Sequence, residues 1–253
     1  MGYKMDMFKM MLKRPSLKFR QHSKKEKLAT KNIKYAQINN TKPAIIFSNG
    51  YNTPMKLWDE VFCELSKQYT VFAYNRKDGK NSEDKRVSSD KVEELRELLM
   101  QRRLNPPYIL VGHSLGGLYM QYYARKYPEE VIGMVLVDSP QSSSFDDMSV
   151  LPNKMMESKV FISLYREIDS FGKRIAALPT ISIPIVAITA SNRQLIFQYP
   201  ERAPMINRMI AKQKEFPDIY LNAKMQWVDS DHMVQYEKPK VVIDAVKEVV
   251  NAG

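Results

Sequence analysis

The chain has 253 residues, 44% of them hydrophobic, with a single cysteine and a formal net charge of +11. That length suits one large domain with a substantial core, and one cysteine, Cys63, excludes an internal disulfide. The charge is concentrated at one end: residues 1–34 hold 11 Lys and Arg against 2 Asp and Glu, whereas the remainder holds 28 against 26, a nearly neutral body that argues against a nucleic-acid binder.

Residues 1–30 read as a basic N-terminal extension. Within it, residues 5–14 mix apolar and basic side chains. The alternatives are a solvated, frayed segment and a short amphipathic helix in weak contact with an anionic membrane surface. The run is too broken by charge for a signal-peptide core, and Asp6 stands where a myristoylation pattern needs Ser or Thr. No apolar stretch of roughly 18 residues is present to span a bilayer. The expected location is the cytoplasm, with membrane association through the tail as the alternative.

From residue 31 onward, the domain 31–253 alternates two kinds of pattern. Residues 31–38 alternate in part, as a half-exposed strand does, and residues 39–43 form a turn. Residues 44–48 and 69–74 are buried strands, with helical spacing over 56–65 and Cys63 buried on that helix. Asp90, followed three residues later by Glu93, marks a helix start, and Val92, Leu95 and Leu99 form its apolar stripe. Residues 107–111 are a strand, 118–127 a helix that stops at Pro128, and 131–137 a strand ending at Asp138. Residues 183–189 and 220–228 are the remaining strands. Pro239 opens a closing helix with Val241, Val242, Ala245, Val246 and Val249 on one face.

Strands that are apolar throughout, alternating with amphipathic helices, predict an α/β fold: a mostly parallel central sheet with helices on both faces. Residues 139–182 break the rhythm and are expected to form a small cap insertion over the site. Met148, Met155 and Met156 either line a pocket there or pack the cap.

The most informative stretch is Gly112-His113-Ser114-Leu115-Gly116-Gly117. A serine hydroxyl becomes a nucleophile only when exposed, deprotonated by a base and faced by oxyanion donors. The G-x-S-x-G spacing places serine on a sharp strand-to-helix turn, and a strand and a helix flank it here. A helix N-terminus also favours developing negative charge.

Together with the strand end at Val137-Asp138-Ser139 and with Asp231-His232 ahead of Glu237-Lys238-Pro239, this order resembles the α/β-hydrolase family over residues 30 to 253. The resemblance implies the chain order nucleophile, acid, histidine. Ser114 is then the nucleophile. Of the three histidines, His22 lies in the basic tail region and His113 inside the elbow, pointing away from the nucleophile, so the base is His232. The family's usual acid position follows the strand after the cap, but residues 189–193 contain no carboxylate. Asp138, at the preceding strand end, is the candidate acid, with Asn192 or a water orienting His232 as the alternative. Asp231 is too close in sequence to meet the ring. The oxyanion donors are the N–H groups of Leu115 and of Tyr51, in the Asn49-Gly50-Tyr51 loop.

No dinucleotide fingerprint or metal-ligand cluster is present, so no cofactor and no metal are expected. The expected function is a serine hydrolase, a carboxylesterase acting on a small-molecule ester through a Ser-His-Asp triad. Alternatives on the same triad are amide or peptide cleavage, acyl transfer and cofactor-free peroxidation. A non-catalytic receptor or scaffold on this fold is the alternative of another class.

Overall fold

A computed structural model of the chain describes residues 13–28, 31–76, 89–143, 158–191 and 203–253. Among the described residues, eight strands form one sheet: β1 (Ser23–Leu28), β2 (Lys31–Ile38), β3 (Thr41–Ser48), β4 (Tyr69–Tyr74), β5 (Tyr108–His113), β6 (Val131–Val137), β7 (Ile185–Ala190) and β8 (Ala223–Val228). Their spatial order is β1-β2-β4-β3-β5-β6-β7-β8. The β1–β2 and β2–β4 pairs are antiparallel, and all pairs from β4 to β8 are parallel.

The central strands are apolar throughout because both of their faces are covered. On β3, β5 and β6, Ile46, Leu110, Met134 and Leu136 face one cluster, while Ile45, Phe47, Ile109, Val111, Val135 and Val137 face the other. The first cluster is closed by α3 (Ser89–Gln101), α4 (Leu115–Lys126) and α5 (Lys159–Ala176), through Leu95, Leu99, Leu118, Tyr123, Ile168 and Phe171. The second is closed by α1 (Leu17–Gln21), α2 (Asp59–Leu65) and the C-terminal helix Pro239–Ala252, through Phe19, Phe62, Val242, Val246 and Val249. Each such side chain contributes roughly 1.5–3 kcal/mol when fully buried.

The extension drawn at residues 1–30 is shorter than the sequence pattern suggests. Phe19 is buried against Phe62, with ring centroids 5.0 Å apart, and the Ser16 N–H and hydroxyl both donate to the Asp59 carboxylate at 2.6 Å. Strand β1 then pairs with β2 along its whole length. Its sequence, SKKEKL, shows no apolar alternation because an edge strand can be held by its ladder alone. Residues 1–12, and with them most of the amphipathic segment, lie outside the described residues.

Within the proposed cap, residues 144–157, including Met148, Met155 and Met156, lie outside the described residues. The described remainder is dominated by α5, whose Phe171 stacks edge-on against Tyr119 of α4 at 4.5 Å. Cys63 is half-buried on α2, with its thiol 3.3 Å from Asp59 Oδ1. A helix at Ala203–Gln213 (α6) joins the architecture between β7 and β8. Among the described residues, no helix is long and apolar enough to cross a membrane.

Chain connectivity reverses around β3, whose neighbours are β4 on one side and β5 on the other. A doubly wound sheet opens a crevice at the carboxyl ends of its strands at such a point. The loop after β3 and the turn after β5 both lie there.

Candidate active site

The turn after β5 passes sharply from strand to helix, with Ser114 between them. Ser114 adopts φ 51° and ψ −127°, a conformation that an L-residue avoids unless its surroundings impose it. They do so from both sides. The Ser114 N–H donates to Val137 O at 3.0 Å, and the Ser114 carbonyl accepts from the Gly117 N–H at 2.8 Å as the helix begins. A Cβ on Gly112 would lie 2.5 Å from Gly117 Cα, and one on Gly116 would lie 2.3 Å from the Asn49 carbonyl oxygen. Neither approach tolerates a side chain. The Ser114 side chain therefore stands at the N-terminus of the 12-residue helix α4, at its positive end.

Asp138 follows β6 and is buried, at 1% exposure, with φ 43°. Its Oδ2 lies 2.6 Å from His232 Nδ1. Its Oδ1 accepts from the Ala190 N–H at 3.2 Å and from Gln213 Nε2 at 3.3 Å. A buried carboxylate needs such partners, because leaving an ion unpaired in the interior costs several kcal/mol. A hydrogen on Nδ1 directed at Asp138 leaves Nε2 as the ring's acceptor. The end of β7 thus supplies a backbone donor to a carboxylate that sits one strand away.

His232 is held by its loop as well as by Asp138. Its N–H donates to Asp231 Oδ1 at 2.9 Å, while the Asp231 N–H and the Ser230 hydroxyl donate to Glu237 Oε2 at 3.0 and 2.8 Å. Asp231 therefore fixes the backbone and does not reach the ring, as its adjacency in sequence requires. The His232 carbonyl accepts from His113 Nε2 at 2.9 Å, and the two rings lie 4.6 Å apart. His113 is thus part of the assembly, although its place inside the elbow argued for setting it aside. Burial first, then the neighbouring His232, pulls its pKa down from 6.5 to about 3, so it is neutral and carries its hydrogen on the Nε2 that faces the carbonyl.

The loop after β3 meets the elbow directly. A Cβ placed on Gly50 would lie 3.3 Å from Ser114 Cβ. Asn49, which stands where the family often has His, is buried and fully used. Its amide donates to Thr53 O and Tyr74 O, both at 3.1 Å, and its carbonyl oxygen Oδ1 accepts from Trp58 Nε1 at 3.0 Å. Leu115 is the first residue of α4, so its N–H has no partner within the helix. Tyr51 is half-buried in the adjoining turn. The structure thus brings the β3 loop to the elbow and Asp138 to His232. Among the described residues, it draws no hydrogen bond from Ser114 Oγ to the His232 ring, a contact that in many enzymes tightens only with substrate bound. Asn192, the alternative orienter, lies outside the described residues.

Two contributors carry no motif in the sequence. Gln213 of α6 is buried and donates to Ser139 O at 2.9 Å as well as to Asp138. Pro204 with Ile206 and Met209 at helical spacing is the signal that marks α6. Arg76, after β4, bonds the β3 loop, and only the fold reveals its target.

Comparison with known proteins agrees with this architecture. Residues 43–166 match the family model described as alpha/beta hydrolase fold. The chain is 24% identical over 219 residues to the Bacillus subtilis (strain 168) protein YqjL, covering 81% of this chain and 82% of that protein. It is 30% identical over 105 residues to the rat 1-acylglycerol-3-phosphate O-acyltransferase ABHD5, covering 39% of this chain and 30% of that one. A putative lipase from Acinetobacter baumannii superposes with a TM-score of 0.66 at 17% identity, covering 95% of this chain and 98% of its own.

Proposed function

We propose that the chain, whose residues 43–166 match the alpha/beta hydrolase fold, is a serine hydrolase cleaving small carboxylic esters through an acyl-enzyme on Ser114. The observation that carries this reading is the 2.6 Å contact between His232 Nδ1 and the buried Asp138, beside a serine held at positive φ. His232 Nε2 takes the Ser114 proton as Oγ attacks the ester carbonyl, and Asp138 stabilises the imidazolium that forms. The N–H groups of Leu115 and Tyr51 bind the oxyanion. The imidazolium then protonates the leaving alcohol, and water activated by the same ring releases the acid.

A second reading is acyl transfer, in which an alcohol replaces water as the acceptor of the acyl group. The 105-residue similarity to an acyltransferase favours keeping it. One experiment addresses both. Wild-type protein and Ser114→Ala are given p-nitrophenyl esters of increasing chain length, with and without glycerol. Ser114-dependent release of nitrophenol and free acid is the expected result. Acyl-glycerol as the main product would move the function to transfer, and no Ser114-dependent turnover on any ester would overturn the esterase reading.

A further inference from the structure

The Arg76 guanidinium reaches three consecutive residues of the β3 loop. Nη1 donates to Ser48 Oγ at 3.0 Å, and Nη2 donates to the carbonyl oxygens of Asn49 at 3.0 Å and Gly50 at 3.1 Å. The planar fork lies 4.3 Å above the ring of Tyr119 on α4, the helix that begins directly after Ser114. The Tyr119 hydroxyl is itself fixed, donating to Glu167 Oε1 of α5 at 2.6 Å and accepting from Lys91 of α3 at 3.1 Å. A side chain from the end of β4 therefore ties the loop after β3 to the nucleophile's own helix.

We propose that Arg76 is a positioning residue for the oxyanion site, aiming the Tyr51 N–H by holding the carbonyl of the same peptide group. In a trans peptide the C=O and N–H point in opposite directions. Fixing the Gly50 oxygen on Arg76 therefore turns the Tyr51 N–H away from Arg76. A cation on the carbonyl also polarises the N–H at the other end of the unit. Thr53 shares the task, its N–H and hydroxyl reaching the Gly50 oxygen at 3.4 and 3.0 Å, but it brings no charge and no link to α4. Arginine suits the role because one planar group serves three acceptors while stacking on an aromatic ring.

This inference rests on the serine-hydrolase reading above, and its test separates the two. Arg76→Met, Arg76→Lys and Arg76→Ala are compared with wild type and Ser114→Ala on p-nitrophenyl butyrate. Inactivation by an alkyl fluorophosphonate, whose phosphoryl oxygen enters the same hole, is measured in parallel. In Arg76→Met, kcat is expected to fall ~30-fold, KM to change less than about threefold, and the inactivation rate to fall with kcat. Arg76→Lys recovers little, and millimolar guanidinium restores part of the activity of Arg76→Ala. A Ser114-dependent activity that keeps its wild-type kcat in Arg76→Met overturns the assignment alone. So does a loss matched by the unfolded fraction in melting curves and unrelieved by guanidinium. No Ser114-dependent turnover or labelling in wild type overturns the hydrolase reading and the assignment with it.

Discussion

Asp138 and His232 stand 94 positions apart in the chain, yet their side chains meet at 2.6 Å, joining the end of β6 to the loop that follows β8. The contact crosses the intervening strand β7, whose last residue, Ala190, donates its N–H to the same carboxylate. A carboxylate at this point reaches the imidazole without one on β7.

Asp138→Asn tests that role. The amide keeps the shape of the carboxylate but loses its charge and half its acceptors, so the wrong tautomer of His232 is favoured. A fall in kcat of about a thousandfold or more is expected on a p-nitrophenyl ester. The far-ultraviolet spectrum should be unchanged. Near-normal turnover would remove Asp138 from the mechanism.

Ser114→Gly separates strain from chemistry. Glycine takes φ 51° at little cost, whereas serine is held there by its neighbours. The variant should be inactive yet more stable by about 1 kcal/mol, a gain of roughly 2–4 °C in Tm for a domain of this size. A lower Tm would show that the elbow is unstrained.

Gly112→Ala should have the opposite effect. The added methyl meets the backbone of Gly117 at 2.5 Å, where no flexible side chain can move aside. A loss of about 1–3 kcal/mol is expected in urea unfolding, together with reduced turnover as the elbow opens. Stability equal to wild type would contradict the close approach of strand and helix.

His113 makes the fold sensitive to acid. Its pKa is lowered in the folded chain, from 6.5 to about 3. Between those values the unfolded chain binds the additional proton, so its stabilising effect is present above pH 6.5 and is lost progressively as pH falls towards 3. One such group contributes a slope of at most about 1.4 kcal/mol per pH unit. His113→Gln should flatten the fall of Tm between pH 6.5 and 4. An equally steep fall in the variant would place the sensitivity elsewhere.

Much of this arrangement is legible in the sequence, for identifiable reasons. The limits of β4 and β6 are marked by apolar runs, since both faces of those strands are buried. Ser114 is marked by glycines at positions where a Cβ would collide with neighbouring backbone, and Asp138 by its place at a strand end. What escapes is whatever depends on a distant neighbour. Strand β1 has no apolar pattern because its pairing with β2 holds it. His113 looks peripheral within its own turn, and only the His232 carbonyl gives its ring a task. Gln213 and Arg76 act through backbone oxygens brought to them by the fold, for which no local spacing exists.

Among the described residues, the sheet ends on β1 at one side. An open sheet presents a bare row of N–H and C=O groups that another chain can extend. On β1 the exposed side chains include Lys24 and Lys25, and Lys25 already stands opposite Lys34 across the ladder. A second copy arriving edge to edge would stack ammonium groups against ammonium groups. The basic charge near the N-terminus thereby discourages strand-by-strand aggregation at this edge.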